Sequence, residues 1–192
     1  MAAALSFLTR VPIPARTPFS AADTGRSSYW FPLIGAMLGL IYALAVRILS
    51  PVLPCIVVAV IVIVIEALLT GALHLDGVAD MADGFGGGRD RADVLRIMRD
   101  HAIGAYGATA LILIILLKVT TISALCEHHL AEQYLIAGPA LSRWATVLLS
   151  WLSPYARRSE SEGVNAGGAV SDFIGRREFL LATLICAVVV GV

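Results

Sequence analysis

A short acidic string lies in an otherwise apolar chain, where Asp76, Asp80 and Asp83 follow one another at spacings of four and three. Residues at these spacings share one side of a helix, so the three carboxylates fall within about 60° of one another. Like charges held this close repel unless a cation neutralises them. Carboxylate oxygens suit magnesium or manganese, and magnesium commonly shares its coordination sphere with substrate phosphates. The pattern therefore favours a magnesium site over its alternative, a solvated polar end of a helix.

Three other charged residues lie deep inside apolar stretches. Glu66, Lys118 and Arg143 each stand alone in an apolar stretch long enough to cross a membrane, and Lys118 is the only lysine. A charge in such a place costs a few kcal/mol unless it is paired or faces a polar cavity. The sequence leaves two interpretations open. Either Glu66 forms a structural ion pair with one of the basic residues, or these groups face the substrate and Glu66 joins the metal site.

Glycines follow the acidic string in Gly84-Phe-Gly-Gly-Gly88, and Arg89 comes next. A glycine run that opens a helix can present its backbone N–H groups to a phosphate. A flexible linker has the same composition. Because the run adjoins three aspartates, we interpret it as a phosphate-binding loop. Carboxylates, a divalent cation and nearby arginines together favour phosphoryl or nucleotidyl transfer, in which positioning and charge neutralisation carry most of the catalysis.

The elements that hold these residues are predicted to be membrane helices. The chain is 58% hydrophobic and 15% charged, whereas a soluble domain is about 25% charged. A soluble nucleic-acid binder needs a surplus of Lys and Arg, so the formal net charge of +0 predicts no nucleic-acid partner. The long apolar runs predict an all-α integral membrane protein, a polytopic helical bundle embedded in a lipid bilayer.

We expect a single transmembrane domain over residues 1–192, with about five spans. The predicted spans are residues 29–49, 52–75, 105–125, 133–152 and 179–192. A cytoplasmic loop over residues 76–104 carries the acidic string. Because a chain rarely ends inside a span, we expect C-terminal truncation, so that the natural protein continues beyond Val192.

Arginines orient the spans, because Lys and Arg accumulate in cytoplasmic loops. With the N-terminus in the cytoplasm, every loop arginine except Arg47 falls on the cytoplasmic side. Those arginines are Arg10, Arg16, Arg26, Arg89, Arg91, Arg96, Arg99, Arg157, Arg158, Arg176 and Arg177. The sequence therefore predicts a multi-pass protein of the inner (cytoplasmic) membrane, with its N-terminus and active site on the cytoplasmic side.

The three cysteines, Cys55, Cys126 and Cys186, lie apart in or beside apolar runs and form no CxxC pair. An odd count without paired spacing predicts neither a disulfide framework nor a thiolate metal site. We expect all three to be small apolar core residues.

These features resemble the cobalamin synthase family, the adenosylcobinamide-GDP ribazoletransferases. The resemblance lies above all in Leu69-Thr-Gly-Ala-Leu-His74-Leu-Asp76-Gly-Val-Ala-Asp80-Met-Ala-Asp83-Gly84. It extends over most of the chain, through residues 7–14, 30–35, 87–90, 97–100, 103–107, 118 and 141–144. The chain departs from the family at Asp100-His101-Ala102, where Asp-Ser-Arg is common, so one basic contact is missing.

The resemblance implies a reaction and a set of roles. Adenosylcobinamide phosphate would pass from adenosylcobinamide-GDP to a ribose hydroxyl of α-ribazole, or of α-ribazole 5′-phosphate, with release of GMP and a need for Mg²⁺. Asp76, Asp80 and Asp83, together with Glu66, would hold the metal, and Asp80 or Asp83 would accept the hydroxyl proton. The residues expected to bind substrate phosphates are Arg89, Arg99, Lys118 and Arg143. His74 and Asp100 are expected to contact the metal ligands without binding the metal themselves.

Two alternatives remain open at this point. A CDP-alcohol phosphotransferase-like enzyme performs a similar displacement, but its pattern has a second aspartate pair that this chain lacks at the expected distance. A membrane transporter could use Glu66, Lys118 and Arg143 as a midplane relay, but it would be expected to show interrupted helices in two matching halves. The sequence is compatible with a homo-oligomer and does not require one.

Overall fold

The computed structural model describes residues 1–14, 19–153 and 170–191, and the regular structure in these residues is helical throughout. The helices are α1 (Ala2–Leu8), α2 (Ala21–Arg26), α3 (Phe31–Leu49), α4 (Cys55–Thr70), α5 (Leu73–Gly87), α6 (Arg91–Ile97), α7 (Ala105–Glu127), α8 (Ala131–Leu152) and α9 (Arg176–Val190). A 3₁₀ turn, Ser28–Trp30, leads into α3. The predicted all-α class is confirmed.

Three helical segments in the described part of the chain are long and apolar enough to cross a membrane: Ser28–Leu49, Ala105–Glu127 and Ala131–Leu152. Helices α4 and α5 pass the same test together, but they are bent by 90° at a break between them. The described residues thus give three candidate spans, or four if the bent pair is one span, where about five were predicted. Helix α9 has 15 residues, fewer than the roughly 20 that cross a bilayer. Of the residues used to predict topology, Arg16, Arg157, Arg158 and Val192 lie outside the described residues.

The bend between α4 and α5 separates the apolar span from the acidic string. Helix α4 ends at Thr70, and both Gly71 and Ala72 adopt left-handed backbone conformations, with φ of 65° and 59°. Glycine accepts this conformation easily, whereas a residue with a Cβ loses about 1–2 kcal/mol. The predicted span over residues 52–75 is therefore interrupted, and most of the predicted loop over residues 76–104 is helical.

The chain divides into two compact units, Met1–Ile48 with Leu130–Val192, and Leu49–His129. In the first unit, Phe31, Ile34 and Val147 have fully buried side chains. Helices α8 and α9 are joined by the indole N–H of Trp144, which donates a hydrogen bond to Thr183 Oγ1 at 2.9 Å.

Helices α3 and α8 of the first unit approach each other closely at glycines. A Cβ on Gly39 would overlap the carbonyl oxygen of Leu135, and a Cβ on Gly35 would overlap that of Pro139. Proline has no N–H, so Pro139 leaves the Leu135 carbonyl without its ordinary donor one turn along α8. An added Cβ at position 39 would overlap that oxygen, so only glycine leaves the space.

In the second unit, α4 and α7 pack along each other, and α5 packs on α7 and α6. A disulfide joins Cys55, at the start of α4, to Cys126, near the end of α7, with the two Cα atoms 5.8 Å apart. The prediction that all three cysteines are unpaired core residues is wrong for this pair. It holds for Cys186, which is free and buried. Spacing along the chain could not show the pair, because 71 positions separate its cysteines.

Candidate active site

Helix α5 carries all three residues of the acidic string, as their spacing predicts. Asp76 lies in the first turn of the helix, where the positive end of the helix dipole favours a carboxylate. It is exposed, whereas Asp80 and Asp83 are half-buried. Asp76 and Asp80 lie one helical turn apart, so their carboxylates can act on the same ligand.

Asp83 lies against the start of helix α7. Its Oδ2 accepts a hydrogen bond from the backbone N–H of Gly104 at 2.7 Å, and its Oδ1 accepts one from the N–H of Gly107 at 2.8 Å. A Cβ on either glycine would overlap the Asp83 carboxylate. The sequence analysis missed this contact, although two glycines three positions apart, Gly104 and Gly107, just before and within the first turn of a predicted helix are a visible signal of a close approach.

The glycine run after the acidic string is the last turn of α5 rather than a loop. The N–H of Gly88 donates to the carbonyl of Gly84 at 2.8 Å, which continues the helical hydrogen bonding. A Cβ on Gly84 would lie 2.6 Å from Met98 Cγ, and the ring of Tyr106 packs against Gly86. The prediction of a phosphate-binding loop is therefore wrong here, because these glycines allow α6 and the start of α7 to pack closely on α5.

Helix α6 follows the glycine run and carries its own local ion pair. Asp90 caps the helix by accepting a hydrogen bond from the N–H of Asp93 at 2.9 Å. Asp93 in turn accepts a hydrogen bond from Arg96 Nη2 at 2.6 Å. The Arg96 guanidinium, followed by the backbone N–H of Arg89, holds the pKa of the Asp93 carboxyl below its ordinary value. A hydrogen bond from the backbone N–H of Arg89 to Asp93 Oδ2 at 3.2 Å fixes the backbone of Arg89, whose side chain is exposed.

The other predicted residues of this region lie nearby along the chain. Arg99 and Asp100 are exposed, and His74 is half-buried on α5. The Oδ1 of Asp100 accepts a hydrogen bond from the N–H of Ala102 at 3.1 Å, forming a local turn. The structure gives Asp100 this turn-forming role, and its predicted support of a metal ligand stays a prediction.

Glu66 on α4 forms an ion pair with Lys118 on α7. Their side chains are 20% and 29% exposed. Of the two interpretations of these charges, the structure shows the ion pair, in which the Glu66 carboxylate binds an ammonium group. Arg143 belongs to the first unit, where it lies on α8 and is 3% exposed.

Among the residues that the structure describes, no three His, Cys, Asp or Glu side chains are grouped to hold a metal ion. Magnesium is commonly bound by only one or two protein carboxylates, with substrate phosphates and water completing its shell. Asp76 and Asp80, one turn apart on α5, fit that arrangement. The carboxylate oxygens of Asp83 accept hydrogen bonds from the backbone of α7, and the Glu66 carboxylate binds the Lys118 ammonium group.

Comparisons with known proteins point to one family. The family model of cobalamin-5-phosphate synthase matches residues 1–192. Adenosylcobinamide-GDP ribazoletransferase from Syntrophobacter fumaroxidans is 42% identical over 187 residues, which cover 96% of this chain and 73% of the relative. The protein of that name from Azorhizobium caulinodans is 41% identical over an alignment of 199 positions, which covers 99% of this chain and 75% of the relative. No solved structure matches the chain significantly.

Proposed function

The chain belongs to the cobalamin-5-phosphate synthase family, and on this premise we propose that it transfers adenosylcobinamide phosphate from adenosylcobinamide-GDP to α-ribazole or α-ribazole 5′-phosphate. The observation that carries this proposal is the 42% identity to a relative named for that transfer, over 96% of the chain. The acidic helix α5 supports it, because a divalent cation bound there would neutralise the diphosphate of the anionic donor.

The transfer is a displacement at phosphorus. The oxygen of the α-ribazole ribose hydroxyl forms a bond to the phosphorus linked to cobinamide, and the diphosphate P–O bond to the GMP phosphate breaks. GMP leaves, and the hydroxyl proton passes to a carboxylate of the enzyme. We assign that carboxylate to Asp80, because it is half-buried on α5, one helical turn from Asp76. Both carboxylate oxygens of the predicted alternative, Asp83, accept hydrogen bonds from backbone N–H groups of α7.

Magnesium is part of the proposal. Asp76 and Asp80 would hold the ion, whose chemistry there is to neutralise the charge of the diphosphate. The exposed side chains of Arg89 and Arg99, which border helix α6 at its two ends, would bind phosphate oxygens of the donor. Phosphate binding by Lys118 and by Arg143 stays a prediction, since the Lys118 ammonium group is paired with Glu66 and Arg143 lies in the other unit.

We place the protein in the inner membrane, with its N-terminus and helix α5 on the cytoplasmic side. The loop arginines support this orientation. The Cys55–Cys126 disulfide supports it independently, because both cysteines lie at helix ends predicted to face away from the cytoplasm. Disulfides form in oxidising compartments and are rare in the cytosol.

The experiment is a donor and acceptor comparison with membranes that carry the protein. Given adenosylcobinamide-GDP and magnesium, we expect GMP release only when α-ribazole or its 5′-phosphate is also present. A CDP-alcohol donor serves as the control and should release no CMP. CMP release from that donor without GMP release from the first would overturn the proposal in favour of a CDP-alcohol phosphotransferase.

A further inference from the structure

Helix α5 meets the start of α7 along one stripe of its surface. The stripe comprises Ala79, Asp83 and Gly86, which share a face of α5 because they are spaced four and three positions apart. A Cβ on Gly107 would lie 3.0 Å from the carbonyl oxygen of Ala79, and the ring of Tyr106 lies against Gly86. Asp83 is thus in the middle of the face that α5 turns toward α7.

The start of α7 depends on this contact for its cap. The first N–H groups of a helix have no partner within it, and a side chain of the N-cap residue usually accepts a hydrogen bond from one of them. The N-cap residue of α7 is Gly104, which has no side chain to do so. Asp83 replaces that cap from another helix, since its two oxygens accept the N–H groups of Gly104 and Gly107. The positive end of the α7 dipole stabilises the Asp83 anion in return.

We propose that Asp83 is a positioning residue, which fixes α5 against the start of α7 and so sets the direction of Asp80, one turn away. Asp80 lies three positions before Asp83, on the same side of a rigid helix. A small rotation of α5 about its axis would therefore move the Asp80 carboxylate relative to the substrate. The claim that Asp83 positions the catalytic Asp80 rests on the proposed function. The claim that Asp83 caps α7 rests on the two hydrogen bonds alone.

Two substitutions at this contact separate positioning from direct participation. Asp83→Asn removes the charge and leaves one good acceptor for two N–H groups. Gly104→Ala keeps the Asp83 carboxylate but places a methyl group where the carboxylate now lies. The φ of Gly104 is −91°, which alanine adopts readily, so the effect of this change comes from the contact and not from the backbone. Gly138→Ala, where an added Cβ meets nothing within 4 Å, is the matched glycine control.

Hydrogen exchange of the Gly104 and Gly107 amides tests the cap without any substrate. We expect exchange about tenfold faster in both contact variants, as loss of a hydrogen bond to a charged group predicts, and unchanged exchange in Gly138→Ala. Unchanged exchange at both amides in Asp83→Asn would overturn the proposal. The exchange measurement uses neither substrate of the transfer reaction, so its result holds even if the wild type releases no GMP. Absence of GMP release would overturn the proposed function instead.

Kinetics in the same variants test the positioning. A displaced Asp80 should lower kcat by about 100-fold in both contact variants. The KM for the donor and the shape of the pH profile should stay as in the wild type. Any rise in the magnesium concentration for half-maximal rate should be the same in both contact variants, because Asp80 is also a proposed magnesium ligand. The proposal is wrong if Gly104→Ala retains full kcat. It is also wrong if Asp83→Asn alone raises the magnesium requirement tenfold or removes a limb of the pH profile, since a metal ligand or a base would do that.

Discussion

Lys118 forms an ion pair with Glu66, 52 positions earlier in the chain, and so joins α7 to α4 within the second unit. Each side chain is less than one third exposed, and both helices come from apolar stretches, so neither charge is well solvated. Removing one partner should be worse than removing both, because a single change leaves the other charge without compensation.

We therefore predict that Lys118→Met and Glu66→Gln each lower the free energy of unfolding by about 3 kcal/mol, and that the double variant recovers part of the loss. Unfolding in mixed micelles is measured for the purified wild type, the two single variants and the double variant. Together the four free energies give the coupling between Glu66 and Lys118. Lys118→Met should also raise the KM for adenosylcobinamide-GDP more than that for α-ribazole. Single variants as stable as the wild type would contradict the structural pair and leave only the substrate-facing role.

Close packing of α3 on α8 gives a second prediction. Gly39→Ala places a methyl group against the Leu135 carbonyl and 2.7 Å from Ile136 Cα, so the helices must separate. We expect a loss of about 1–3 kcal/mol of stability, as for other overpacked cores. Gly138→Ala, on α8 with nothing near its added Cβ, should be unchanged or slightly stabilised. Equal unfolding midpoints for Gly39→Ala and the wild type would show that this interface is looser than described.

The disulfide gives a third prediction, about both stability and orientation. When the protein is denatured without reductant, a thiol reagent should label one of the three cysteines, Cys186, and reduction should expose the other two. Cys55→Ser should lower stability by about 4 kcal/mol, because the bridge closes a long loop. Cys186→Ser is the control that keeps the bridge. Labelling of all three cysteines before reduction would contradict the bridge and remove its support for the proposed orientation.

Much of the fold could be read from the sequence, because the signals are local. Apolar length predicts the helices, and the spacing of Asp76, Asp80 and Asp83 places them on one helix. The bend is different, since Ala72 adopts a left-handed backbone conformation that alanine rarely adopts, so its residue type does not predict it. Gly71 is a residue type that commonly ends a helix, but it does not predict the 90° change of direction.

The parts of the site that sequence reasoning missed are all contacts between helices. Cys55 meets Cys126 only because α4 packs on α7, and Asp83 meets Gly104 only because α5 packs on the start of α7. The glycine run was misinterpreted for a related reason. Glycine is a poor helix former, so its place at the end of α5 depends on close packing against Met98 and Tyr106.

The central claim is that Asp80 on helix α5 accepts the proton of the attacking hydroxyl, and one measurement tests it most directly. GMP and the corrinoid product are quantified from adenosylcobinamide-GDP and α-ribazole, with and without magnesium, for the wild type, Asp80→Asn and Glu132→Gln. Glu132 is the matched control, an exposed acid whose surface pair with Arg47 adds little stability. We predict that the wild type and Glu132→Gln form GMP and the corrinoid product in equal amounts, and only when magnesium is present. Correctly inserted Asp80→Asn should react at least about 1,000-fold more slowly. Wild-type turnover by Asp80→Asn, or transfer that is independent of magnesium, would contradict the account.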